Sequence, residues 1–188
     1  MTEKIRIRDI AGFCPEEAVW KMMIDISHLI SDVKMVTQPN PDSILVDGDA
    51  FIIDTDIDEI DAFLAPEQYD VDKKDIKQAV WALGATAYFM ATGHVIFGGF
   101  GGKYQKNHPN VPLPNMPKTL HSLTPVIHKC ITCVPSERIS LEELKVLATK
   151  GLDACRRIQR REMSNGNNIT VTNTGNDDKW PEEMIEIC

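Results

Sequence analysis

The chain has 188 residues, 43% of them apolar, and a formal net charge of −8. That length holds one sizeable core, and that apolar share excludes wholesale disorder. The acidity argues against nucleic acid as a partner, because phosphates call for a concentrated basic surface. The five cysteines (Cys14, Cys130, Cys133, Cys155, Cys188) are odd in number and scattered, and no apolar stretch follows Met1. A cytoplasmic chain with free thiols and no signal peptide is therefore expected.

Residues 1–10 alternate charged and apolar side chains and fit either a strand or a short helix. Pro15, Glu16 and Glu17 make a helix start, since proline suits the first turn and acids suit the positive end of the dipole. Val19, Met22, Met23, Ile26, Leu29, Ile30 and Val33 then recur at helical spacing, which predicts an amphipathic helix over 15–33. Pro39 and Pro41 mark a loop over 36–43. Asp47-Gly48-Asp49 between two short apolar runs predicts one small β-hairpin. Residues 54–61 form an acidic loop.

Residues 79–91, AVWALGATAYFMA, carry no charge and are apolar nearly all the way round. Such a helix belongs inside a protein, and it is too short to span a bilayer, which needs ~20 apolar residues. It should begin near Asp75 and stop at Gly93. Residues 97–117, rich in glycine and proline, read as an irregular connection. A helix is expected over 120–133, with Leu123, Val126, Ile127, Cys130 and Ile131 facing inward. Two more are expected over 140–148, capped by Ser140 with Glu143 three residues on, and over 152–161. Residues 163–178 read as a polar linker, leading to an amphipathic end at 180–187. The resulting division is a domain over 1–162 and a tail over 163–188.

Four landmarks stand in order. They are Pro41-Asp42-Ser43-Ile44-Leu45, Ala65-Pro66-Glu67, Trp81-Ala82-Leu83-Gly84 with Ala91-Thr92-Gly93, and Lys129-Cys130 with Pro135-Ser136-Glu137-Arg138. Together they resemble the C-terminal lobe of a protein kinase, from the first helices to about residue 150. The resemblance implies a mainly α, kinase-like C-lobe built around the buried central helix, with one small β-hairpin. It also implies an ion pair between Glu67, as the A-P-E glutamate, and Arg138.

The catalytic set is missing. A kinase loop reads H-R-D-x-x-x-x-N, its aspartate receiving the substrate proton and its asparagine holding magnesium. The matching stretch opens on Val36, places Gln38 at the base position, Asn40 at the family lysine and Ser43 at the metal position. Of the magnesium-binding D-F-G only Asp54 remains, and Ala79 stands where an aspartate anchors the loop. The segment from Asp54 to Glu67 is short, and no Gly-rich loop, strand lysine or partner glutamate is present to hold ATP. The pattern is similar to kinase non-catalytic C-lobe (KIND) domains, which bind partner proteins. It implies a non-enzymatic pseudokinase module that binds a protein partner and carries no cofactor. Half of a split kinase, needing an N-lobe from another chain, is the alternative, as is a residual nucleotide or divalent-metal binder.

Other motifs read as structural. The run 97–102 (FGGFGG) follows a helix, so it is a connection and not a phosphate loop. Asp54, Asp56 and Asp58 alternate as in a calcium loop, but Glu59 and Ala65 occupy positions that need Gly and Glu. Cys130 and Cys133 form a lone C-x-x-C and are expected to be structural thiols. Arg156 to Arg161 (RRIQRR) reads as a solvated helix end. Phe100, Tyr104, Met116 and Trp180 are the candidate partner surface, and Trp180, Met184 and Ile187 of the tail are expected to dock either back on the domain or onto a partner.

Overall fold

The computed structural model describes residues 4–32, 38–70 and 74–166. The fold is mainly helical with one small antiparallel sheet. The start of the chain is both of the forms its pattern allowed: strand β1 (Ile5–Arg6) runs into a single helical turn, α1 (Ile7–Ile10). Helix α2 (Glu16–Asp32) follows and buries Val19, Trp20, Met22, Met23, Ile26 and Ile30. Strands β2 (Ile44–Asp47) and β3 (Ala50–Ile53) form the expected hairpin, closed by the pair Asp47 and Ala50. Gly48 takes a φ of 60° in its two-residue turn, which favours glycine. β1 adds a third strand through Ile5 opposite Val46 and Arg6 opposite Leu45.

The central helix α3 (Ile76–Thr92) starts and stops where its caps require. Asp75 accepts from the Lys77 amide, and the Gln78 side chain accepts from the Asp75 amide at 3.0 Å. Gly93 ends it in the left-handed region. Residues 78–87 are buried without a break, so every face of the helix meets protein. At Gly84 the approach of the next helix is so close that a Cβ would collide with Cys130. No described helix is long and apolar enough to cross a membrane.

Three stretches differ from expectation. The connection over 97–117 contains a helix, α4 (Gly101–Asn107), entered from a 3-10 turn at Ile96–Gly99. Glycine is a poor helix former, but a Cβ at Gly101 or Gly102 would strike the Ala62 or Leu64 carbonyl. The helix over 120–133 is shorter: a 3-10 segment (Lys118–Leu123) leads into α5 (Thr124–Cys130). The two final helices are one, α6 (Leu141–Gly166), which includes the first residues assigned to the linker. Gly151 does not break it, because it makes room for the Trp20 indole of α2.

Candidate functional site

The turn at residues 40–43 opens into the hairpin at Ile44, and the Pro39 carbonyl just before it meets Thr86 of α3. Asn40 Oδ1 accepts from the amides of Asp42 (3.0 Å) and Ser43 (3.1 Å), an Asx turn. Ser43 Oγ accepts from the Asn40 amide at 3.0 Å and donates to the Asn40 carbonyl at 3.1 Å. Asn40 Nδ2 also donates to the Asp58 carbonyl at 3.3 Å. Gln38, Asn40 and Ser43 are all buried. The polar atoms of Asn40 and Ser43 are thus engaged in folding the turn. The Gln38 carboxamide has no hydrogen-bond partner among the described residues. Val36 lies outside the described residues.

Asp54 lies at the end of β3. Its Oδ1 accepts from the Asp56 amide at 3.2 Å, and its Oδ2 is 3.5 Å from Arg6 Nη2. Arg6 also donates to the Asp42 carbonyl. Arg8 lies 2.5 Å from Asp42 Oδ1, and its amide donates to the Pro41 carbonyl at 3.2 Å. Residues 6–8 therefore contact Pro41 and Asp42, and Arg6 lends Asp54 a guanidinium as its cation. Sequence reading missed Arg6, because nothing local announces a pairing 48 residues away. Among the described residues, no group of three or more His, Cys, Asp or Glu side chains is placed to hold a metal ion.

Ala79 is fully buried and has no polar side chain to hold the loop. A contact to the loop is made about two turns further along α3, at Thr86. The Thr86 hydroxyl lies 2.8 Å from the Ala82 carbonyl and 3.2 Å from the Pro39 carbonyl. A helical threonine commonly bonds its own i−4 carbonyl, which hid this second contact in the sequence.

Arg138 enters between α5 and α6 with its side chain fully enclosed, and it meets Glu67 at 2.6 Å and 3.0 Å through both terminal nitrogens. The Lys77 carbonyl (2.7 Å), Thr132 carbonyl (2.9 Å) and Cys133 carbonyl (3.1 Å) take the remaining donors. All five guanidinium donors are thereby used. Lys77 Nζ returns a bond to the Arg138 carbonyl. The pair ties the segment before α3 to the loop before α6. Cys130 is buried beside it, and burial pushes its thiol up to about 12, with a smaller opposing effect from Arg138. Cys133, half-buried, is raised for the same reason.

The candidate partner residues do not all share a surface. Phe100 is 64% exposed and Tyr104 is 37% exposed, but Met116 is buried at 8% and cannot belong to a free face. Its thioether belongs to the hydrophobic core, where an unbranched side chain suits an irregular gap. Trp180, Met184 and Ile187 lie outside the described residues. Sequence reading missed the rest of the patch. Phe97, Tyr104 and His108 stack in series, with ring centroids 6.3 Å and 4.2 Å apart. A shallow cleft of about 360 Å³ opens beside them, lined by Tyr104, His108, Pro109, Asn110, Val111 and Pro112. Phe97 holds a φ of 51°, unusual for a residue with a side chain.

Compared with known proteins, the chain matches no protein-family model and no curated protein.

Proposed function

We propose that this chain is a catalytically inactive, kinase C-lobe-like module that binds a protein partner in the cytoplasm. The observation that carries the reading is the state of the degenerate loop. A working loop needs a carboxylate free to take a proton and oxygens free to hold magnesium. Here Gln38 offers a carboxamide inside the core, Ser43 is spent on the Asn40 backbone, and Asp54 faces Arg6. The bidentate pair of Glu67 and Arg138 and the enclosed helix α3 supply the rigidity that a scaffold requires.

The partner surface in this reading is the patch of Phe100, Tyr104 and His108 with the proline-lined cleft beside it. Exposed aromatic side chains are preferred anchors at protein interfaces. The test is a thermal melt with ATP and magnesium, then an affinity capture comparing the chain with a Phe100→Ala, Tyr104→Ala variant. Unchanged melting with nucleotide, and a partner lost by the variant, are expected. A nucleotide- and magnesium-dependent rise, or a partner indifferent to both substitutions, would contradict the reading.

One observation favours the split kinase. The Asp54 side chain is 26% exposed, and 3.5 Å is a long contact with Arg6. A nucleotide-dependent shift that needs both an added N-lobe and Asp54 would select that reading.

A further inference from the structure

The far end of α6 leaves the body of the protein. From Arg156 to Ser164 every residue is exposed, including Ile158 at 56% and Met163 at 72%. A helix with no buried face depends on favourable side-chain pairs, yet this one carries Arg156, Arg157, Arg160 and Arg161 at like-charge i,i+4 spacings, which are unfavourable. Glu17 pairs with Arg156 at 2.7 Å. Arg157, Arg160 and Arg161 have no carboxylate partner among the described residues. Arg157 and Arg160 donate to the Asp153 and Arg156 carbonyls of their own helix. In an acidic protein this is a conspicuous unmet positive charge.

The same chain carries a complement. Between residues 145 and 166 six cationic side chains stand against two carboxylates; between 167 and 188 five carboxylates stand against one lysine. Trp180, Met184 and Ile187 recur at i, i+4 and i+7 among Glu182, Glu183 and Glu186, the spacing of one apolar helix stripe flanked by acids. The connection is long enough. Thirteen residues, 167–179, separate Gly166 from Trp180. A flexible chain of that length has an r.m.s. span of about 20 Å, and the exposed turns of α6 are about 14 Å long.

We propose that the acidic segment 180–187 packs on the exposed basic turns of α6, residues 156–164, of the same chain. Its carboxylates neutralise Arg157, Arg160 and Arg161, and its apolar stripe covers Ile158 and Met163. A second copy or an acidic partner could meet the same charges. The tethered segment is favoured because a short linker holds it at an effective concentration of the order of millimolar.

Trp180 supplies the readout, because Trp20 and Trp81 are buried at 2% and 0% exposure. Acrylamide quenching of the full chain is measured against its Trp180→Phe variant to isolate the Trp180 signal. The proposal predicts a quenching constant several-fold below that of the free 167–188 peptide, independent of protein concentration. Reversal of α6 (Arg157→Glu, Arg160→Glu, Arg161→Glu) or of the tail (Glu182→Lys, Glu183→Lys, Glu186→Lys) should raise it to the peptide value. Combining the reversals should lower it again. In the unaltered chain, salt of about 1 M should weaken the shielding, since the screening length is then about 3 Å. Free-peptide quenching in the unaltered chain would overturn the proposal. So would shielding that survives either reversal, or that appears only at high protein concentration or with an added acidic partner.

Discussion

Arg138 grips Glu67 through both terminal nitrogens, at 2.6 Å and 3.0 Å, and spends its three other donors on backbone carbonyls. Residues 71 positions apart are joined this way, and the guanidinium has no exposed surface. Removing one partner of a buried pair strands the other, which costs about 3–5 kcal/mol. Arg138→Ala and Glu67→Gln should each lower stability in urea melts, Arg138→Ala by an amount in that range. The double variant should lose clearly less than the two losses added together, because the pair is one unit. Additive losses would show that the two side chains act separately.

Gly84 gives a second prediction. A Cβ there would collide with Cys130 across the contact of α3 and α5. Gly84→Ala should cost about 1–3 kcal/mol, as overpacking does, although alanine is the better helix former. A stabilised variant in thermal melts would contradict the close approach.

Arg6 and Asp54 should behave differently from the buried pair. Their side chains are 36% and 26% exposed, so solvent screens the contact. A double-mutant cycle with Arg6→Gln and Asp54→Asn should give a coupling of about 0–1 kcal/mol, smaller in high salt. Arg6→Gln alone should cost more than Asp54→Asn, because it also removes the bond to the Asp42 carbonyl. Strong coupling that persists in salt would place the pair in a drier setting.

The Cys130 thiol sets a pH dependence. Its folded value is pushed up to about 12 by burial, above an ordinary value of 9.0. A raised folded value means that the contribution to stability is complete below the ordinary value and is lost as pH climbs through the window from 9.0 to about 12. Urea melts across the lower part of that window should show a steeper fall for the natural chain than for Cys130→Ala. On the native protein, Cys130 should also be the last of the described cysteines to be alkylated. Equal slopes, or early alkylation of Cys130, would contradict its burial.

The elements that were legible in the sequence are those with strong local signals. The uncharged run of α3, its Asp75 and Gly93 caps, the period of α2 and the Asp-Gly turn all depend on neighbours in the chain. What escaped depends on distant partners. Helix α4 was hidden because its glycines serve contacts with Ala62 and Leu64 against their own propensity, and Gly151 concealed the continuity of α6 by serving Trp20. At the candidate site, the residue types at Gln38, Ser43 and Asp54 were readable. The contacts of Arg6 and Thr86 were not, since both are tertiary. Met116 was assigned to a surface because the kinase resemblance puts partner contacts in the region after the central helix, whereas its side chain is part of the buried core.

The proposed function requires that the loop at Gln38, Ser43 and Asp54 perform no phosphoryl transfer. The direct measurement is phosphate transfer from labelled ATP with magnesium or manganese, to the chain itself and to a general protein substrate, beside an Asp54→Ala control. No incorporation above that control is expected under any condition. Incorporation by the natural chain that Asp54→Ala abolishes would contradict the proposed function.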